Sequence, residues 1–292
     1  MTRQEFATLA REKVILLDGA TGSNLTLAGM PRGVATEEWV IENKEVLISL
    51  QRDYVEAGSD IVYAPTFAAN SISLRNFELQ DRVVELNEKL VAISKEAVNK
   101  KAYVAGDVTT TGQLLEPRGS LTYETLLEAY KEQIKVQEQA GVDLLVAETM
   151  LSVDETIVAL DAANQVCELP MMCSLTLEAD GTALYGGSAI EAVETLQEMG
   201  AAAVGLNCSV GPDQLEAVIG SMKRVAKVPI IAKPNAGMPV INDKGEAIYN
   251  MAVEPFCKAM EKLVELGANI IGGCCGTNPQ YIKGLKQMTK GI

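Results

Sequence analysis

The chain has 292 residues, 48% of them apolar and 22% charged, which is enough apolar material for a sizeable core. Its 39 acidic against 25 basic residues leave a formal charge of −14, and no basic patch is visible for a nucleic-acid partner. Histidine is absent, which excludes Ser-His-Asp and Cys-His pairs, a histidine general base and any histidine metal ligand.

Thr2 and Glu5 stand at capping-box spacing and predict a short N-terminal helix rather than a signal sequence. No stretch approaches the roughly 18 uninterrupted apolar residues of a membrane helix, so a cytoplasmic protein is expected. Apolar runs then predict strands at 14–20, 60–67, 103–108, 143–149, 171–177, 203–208, 230–234 and 269–273. They are continuous rather than alternating, as in parallel strands covered on both faces. Amphipathic stretches between them, for example 45–56, 82–99, 123–139 and 255–266, predict helices. Eight such units predict a single (β/α)8 TIM barrel with a short N-terminal helix, a fold of typically about 250 residues.

The helices before the second, fourth, sixth and eighth strands end at Gly58, Gly141, Gly200 and Gly267, as left-handed helix ends favour. The fifth and seventh strands instead follow Pro170 and Pro229, an alternation that hints at a repeat of paired units. No Gly/Ser/Pro-rich linker divides the chain, so one domain over 1–292 is expected. An open doubly wound sheet is the competing arrangement. It usually carries a G-x-G-x-x-G turn, which Asp18-Gly19-Ala20-Thr21-Gly22 is not, and no Walker motif appears.

A barrel of this kind builds its site at the C-terminal ends of its strands. Those ends supply Asp18 with Gly19, Ala20 and Thr21; Thr66 with Asn70; Asp107 with Thr109; and Glu148 with Thr149. Thr176, Asn207 with Cys208, Asn235, and Cys274 with Cys275 complete the set. Cysteine thiolates suit zinc, at about 2.3 Å, and three of them leave a fourth position open. Neighbouring side chains of a strand point to opposite faces, so Cys274 and Cys275 need a sharp turn to share an ion, which Gly272, Gly273 and Gly276 permit. Spacing alone fits buried structural thiols equally well; placement on two strand ends beside a Gly-Gly-Cys-Cys-Gly turn favours the metal. Cys167, Cys173 and Cys257 lie in helical or strand interiors and read as packing residues.

Leu16-Leu17-Asp18-Gly19-Ala20-Thr21-Gly22 resembles the opening of the homocysteine S-methyltransferase family. Ala147-Glu148-Thr149, Gly205-Leu206-Asn207-Cys208-Ser209, Lys233-Pro234-Asn235-Ala236-Gly237 and Gly272-Gly273-Cys274-Cys275-Gly276-Thr277 carry the same resemblance. Their wording is most similar to the homocysteine-binding module of cobalamin-dependent methionine synthase. The resemblance implies a (β/α)8 barrel with zinc on Cys208, Cys274 and Cys275, and homocysteine sulfur as the fourth ligand. No catalytic side chain is then needed beyond the zinc-activated thiolate, which suits a chain without histidine.

Under that resemblance Asp18 and Glu148 take the substrate ammonium, and backbone N–H groups around Gly19, Ala20 and Thr21 can take its carboxylate. Asn207 can orient homocysteine or the metal's surroundings, and Asn235 can give its side-chain oxygen to zinc when substrate is absent. The residues alone leave other readings open: a turn or cap aspartate for Asp18, a solvated rim charge for Glu148, a turn asparagine for Asn235. Thr66, Asn70, Asp107 and Thr109 receive no role.

The expected methyl donor is methylcobalamin or a corrinoid protein acting in trans, not durably bound by this chain. Larger members of the family append cobalamin modules after the barrel, whereas this sequence ends soon after Thr277; those modules also use a histidine, absent here. Betaine is disfavoured by an aromatic content of 4% with Trp39 the single tryptophan. S-methylmethionine is the runner-up donor. Outside the methyltransferase class stand a non-catalytic zinc- or thiol-binding barrel and a metal-free enzyme using Asp18 and Glu148 as an acid–base pair.

Overall fold

The computed structural model describes residues 1–242 and 247–291. Its strands are β1 (Ile15–Leu16), β2 (Ile61–Tyr63), β3 (Tyr103–Thr109), β4 (Leu144–Met150), β5 (Met171–Leu175), β6 (Ala203–Cys208), β7 (Ile230–Pro234), β8 (Val240–Ile241), β9 (Ala247–Ile248) and β10 (Ala268–Ile271). Eight of them form one sheet in the order β1-β10-β7-β6-β5-β4-β3-β2, every pairing parallel. β8 and β9 make a separate antiparallel hairpin.

The seam between β1 and β2 is bridged by side chains as well as backbone. The Asp60 N–H donates to the Leu16 carbonyl at 2.7 Å, and the Leu16 N–H donates back to the Asp60 carboxylate at 2.9 Å. Higher up, the Tyr63 N–H donates to Asp18 Oδ2 at 2.8 Å. The sheet is therefore a nearly closed barrel, and with its surrounding helices it is the expected TIM barrel.

Alternation along the strands divides the core in two. Ile15, Leu17, Ile61, Tyr63, Ala105, Leu144, Val146, Met172, Ala203, Ile231 and Ile270 form one cluster, the barrel interior. Their neighbours Leu16, Val62, Val104, Leu145, Ala147, Cys173, Val204, Ala232 and Ile271 belong to the larger cluster shared with the outer helices. Phe6 and Ala10 join the interior cluster, so the N-terminal helix Arg3–Glu12 plugs one end of the barrel. Its capping box is formed as expected, with the Glu5 N–H on Thr2 Oγ1 and the Thr2 N–H on Glu5 Oε2.

Side-chain direction has a period of two along a strand. Continuing the inward rows by two residues reaches Asp107 on β3, Glu148 on β4, Ser174 on β5 and Lys233 on β7, and continuing by four, past Gly205, reaches Asn207 on β6. The apolar barrel thus ends in a polar layer at its C-terminal mouth.

Gly58, Gly141, Gly200 and Gly267 all have the positive φ expected of them. Several boundaries differ from the sequence reading. β1 and β2 are much shorter than 14–20 and 60–67, because the chain turns away: the Thr66 N–H closes on the Ala64 carbonyl at 2.7 Å around Pro65. β10 starts one residue earlier and stops at Ile271, after which the Gly273 N–H crosses to the Asp18 carbonyl at 3.1 Å. The β8–β9 hairpin was not foreseen. Cys167 lies just past its helix as the C-cap residue, while Cys173 and Cys257 sit in β5 and in the helix Val253–Glu265. Among the described residues no helix is long and apolar enough to cross a membrane.

Candidate active site

A cavity of about 380 Å³ opens at the C-terminal mouth of the barrel. Its floor and walls include Asp18, Gly19, Ala20, Thr21, Tyr63, Asp107, Glu148, Lys233, Cys208, Cys274 and Cys275. Val34, Phe67, Ala68 and Phe77, from the connections after β1 and β2, add an apolar side.

Cys208, Cys274 and Cys275 bring their sulfurs within 4.8 Å of one another, each half-buried. Cys208 Sγ lies 4.0 Å from Cys275 Sγ. Two local backbone features produce this cluster. Cys208 ends β6 with φ 61°, left-handed and strained for a residue with a side chain, and Ser209 follows at 59°. After β10, a turn closes with the Thr277 N–H on the Cys274 carbonyl at 3.1 Å, and the Cys274 N–H is anchored on the Pro234 carbonyl at 2.7 Å. Hydrogen bonds from Cys208 and Cys274 hold the Cys275 thiol pKa down to about 3, whereas its bonds with Cys274 and Cys275 push the Cys208 thiol up.

Beside the thiols the cavity is strongly charged. Lys233 Nζ is 3.4 Å from Asp18 Oδ1, 3.8 Å from Glu148 Oε2 and 4.7 Å above the Tyr63 ring. Burial pushes the carboxyl pKa of Asp18 up to about 6, against the opposing pull of Lys233. Burial also lifts Glu148, with Lys233 again opposing. Asp107 is raised well above the usual carboxylate range by burial and by the Glu148 charge. Burial would lower the Lys233 ammonium, but Glu148 and Asp18 together outweigh it and hold the cation well up. Asp18 Oδ1, Asp107 Oδ1 and Glu148 Oε2 are buried without a hydrogen-bond partner.

The connection Asp18–Thr21 is held from behind. Thr277 Oγ1 accepts from the Ala20 N–H at 3.1 Å and donates to the Cys274 carbonyl at 2.7 Å. Tyr54 donates its hydroxyl to the Ala20 carbonyl at 2.7 Å. A side chain on Gly19 would place its Cβ 2.7 Å from the Tyr54 hydroxyl, so only glycine lets this segment sit so close.

The structure sorts the remaining mouth residues. Thr66 exchanges hydrogen bonds with the Asp107 backbone, Asn70 caps the helix Ser71–Leu74, and Thr109 donates to the Glu148 carbonyl. These three brace loops, while Asp107 faces the cavity. Glu148 is no solvated rim charge, with 12% of its side chain exposed. Asn235 donates to the Ser209 carbonyl at 3.0 Å, and its Oδ1 is buried with no partner. Asn207 does not line the cavity; it lies beneath, fully buried. Lys233 is the charged cavity residue that sequence reasoning passed over. Its signal was a lysine inside the apolar run Ile230-Ile231-Ala232-Lys233-Pro234, where both faces of the strand are covered.

The donor set fits zinc: three soft sulfurs on one side of a cavity, with the partnerless oxygen of Asn235 in the segment bonded to their turn.

Known proteins resemble this chain in sequence and in fold. The chain is 29% identical to methionine synthase of Mycobacterium tuberculosis over 290 residues, which are 93% of this chain and 24% of that protein. Methionine synthase of Mycobacterium leprae is 29% identical over 94% of this chain and 24% of its own length. The chain therefore spans about a quarter of the relatives it matches. In fold it is similar to the metallated form of the homocysteine methyltransferase MmuM from Escherichia coli, with TM-score 0.81 and 21% identity over 96% of this chain and 98% of that one. The profile of the family described as homocysteine S-methyltransferase matches residues 15–289, and the chain belongs to that family.

Proposed function

We propose that this chain, as one barrel domain, binds homocysteine and zinc in the mouth cavity and forms methionine, taking its methyl group from a methylcorrinoid carried by a separate protein or module. Cys208, Cys274 and Cys275 would hold the metal. Zinc bound there would supply the Lewis acidity that keeps a substrate thiol deprotonated at neutral pH, so no general base is needed. Asn235 Oδ1 would face the open position in the absence of substrate.

The observation that carries the reading is the conjunction in one cavity of three converging thiols with two buried carboxylates, Asp18 and Glu148, that share one cation, Lys233, and each keep an oxygen without a hydrogen bond. A soft sulfur site beside an ammonium site describes a short thiol amino acid. Burial and the Glu148 charge favour the neutral form of Asp107, so Asp18 and Glu148 face one cation, Lys233, an arrangement with room for one ammonium. Gly19 and Thr21 would offer their N–H groups to the carboxylate, since that of Ala20 is taken by Thr277.

Likeness to methionine synthases supports the corrinoid donor. So does the apolar rim: Leu27, Val34, Phe77, Met238, Ile241 and Ile248 are exposed in connections leaving the C-terminal ends of β1, β2 and β7. That rim suits contact with a large macrocycle on another module. The test is turnover by purified protein with homocysteine and methylcobalamin, before and after zinc removal. Methionine formed only by the zinc-loaded protein is the expected outcome. Turnover with S-methylmethionine but with no methylated corrinoid would overturn the choice of donor.

A further inference from the structure

Asn207 is 0% exposed, and every hydrogen-bonding capacity of its amide is used by protein groups. Its Oδ1 accepts from the Thr149 N–H at 2.8 Å and from the Ser174 hydroxyl at 2.8 Å. Its Nδ2 donates to Thr149 Oγ1 at 2.8 Å and reaches Cys274 Sγ at 3.9 Å. One planar group thus touches β4, β5 and the cysteine turn after β10, and it is carried on β6 directly before Cys208.

Thr149 needs this hold. Its φ of 57° is left-handed, an unfavourable conformation for a β-branched residue. Two hydrogen bonds with the Asn207 amide, one accepted from the Thr149 N–H and one donated to the Thr149 hydroxyl, are what the structure sets against that strain. Thr149 follows Glu148, so the backbone held by Asn207 is the backbone that aims the Glu148 carboxylate into the cavity.

We infer that Asn207 is a positioning residue that couples the two halves of the site, so that fixing Cys274 Sγ in a metal site also fixes Thr149 and hence Glu148. The amide is planar and saturated. Immobilising the edge that faces Cys274 therefore restricts the edge that faces Thr149. Ordering paid at one site then need not be paid again at the other, which is positive coupling without a large movement. The coupling is reciprocal: metal tightens the amino-acid site by the same factor by which the amino acid tightens the metal site. This inference rests on the proposed zinc and homocysteine sites and adds to them how they communicate.

The probe is L-norvaline, which keeps the ammonium, carboxylate and chain length of homocysteine but has a methyl group in place of the thiol. It cannot bind zinc, so any coupling runs through the protein. Its affinity is measured by calorimetry on the full chain with and without zinc, and zinc affinity by chelator competition with and without norvaline. Direct repulsion between ion and ammonium is common to all variants and cancels in the comparison. Asn207→Leu removes all four hydrogen bonds. Asn207→Asp keeps the two accepted bonds but has no donor for Thr149 Oγ1 or Cys274.

In both variants the ratio of norvaline affinities, zinc-loaded to zinc-free, should fall at least about fivefold below wild type, the low end of ordinary coupling. Ser174→Ala removes a single hydrogen bond, and the ratio should fall by a smaller amount; it serves if the other two fail to fold, as checked by circular dichroism. A ratio equal to wild type in the folded variants would overturn the inference while leaving both sites intact. Wild-type protein that binds zinc or norvaline nowhere in the cavity would instead overturn the proposed function beneath it.

Discussion

The Lys233 ammonium sits 3.4 Å from the Asp18 carboxylate with both side chains nearly inaccessible, 4% and 1% exposed. Such a pair is costly to desolvate, and breaking it by removing one partner typically costs about 3–5 kcal/mol because the other charge is stranded. Lys233→Met should therefore destabilise the fold by about that amount in urea denaturation. It should also weaken norvaline binding at neutral pH, since without Lys233 burial would drive the Asp18 and Glu148 carboxyls further toward their neutral forms. Stability within about 1 kcal/mol of wild type would show that the cation contributes only packing.

Asp18 also sets a pH dependence. Its carboxyl pKa is raised to about 6 by burial, with Lys233 and the Tyr63 N–H pulling the other way. A raised carboxyl pKa means that the folded chain holds this proton more tightly than the unfolded one. The group's stabilising contribution is therefore present at low pH and declines as pH rises from the ordinary carboxylate range through 6. Ammonium binding runs in the opposite direction, because it requires the carboxylate. Norvaline affinity should fall roughly tenfold between pH 7 and pH 5, the change expected for one group titrating near 6. Asp18→Asn should bind weakly at both values and show a flat profile by calorimetry.

Gly19 and Gly22 offer a matched pair of substitutions. A Cβ on Gly19 would meet the Tyr54 hydroxyl at 2.7 Å and Thr277 Oγ1 at 2.9 Å, whereas a Cβ on Gly22 meets nothing within 4 Å. Gly19→Ala should destabilise by about 1–3 kcal/mol, as overpacking does, and should weaken norvaline binding by displacing the backbone under the carboxylate. Gly22→Ala, at the start of the helix Gly22–Leu27, should leave melting temperature and affinity close to wild type. Equal effects from the two would remove the close-approach argument.

Much of this was legible in the chain. Parallel strands buried on both faces leave continuous apolar runs, so β3 to β7 lie close to where the sequence put them. The polar residues at their ends, Asp18, Glu148, Cys208, Cys274 and Cys275, do converge on one cavity: an inward row of period two delivers Glu148, whereas the left-handed backbone at Cys208, the turn after β10 and the connection after β1 deliver the others. What escaped has physical reasons. Val240–Ile241 and Ala247–Ile248 are exposed pairs in a short hairpin, too brief to show any period. Asp107 and Lys233 were unassigned or unseen because a lone charge in an apolar run gains its meaning only from charges on other strands. The amide network of Asn207 joins residues far apart in sequence, and no spacing rule announces it.

The central claim is that three cysteines hold zinc and that the substrate sulfur completes the set. Zinc X-ray absorption on the full chain, with and without homocysteine, tests it most directly. The account predicts one zinc per chain with three sulfur neighbours at about 2.3 Å and one oxygen or nitrogen, changing to four sulfurs when homocysteine is added. It also predicts loss of zinc from a Cys208→Ala, Cys274→Ala double variant. A sulfur count unchanged by homocysteine, or full zinc content in the double variant, would contradict it.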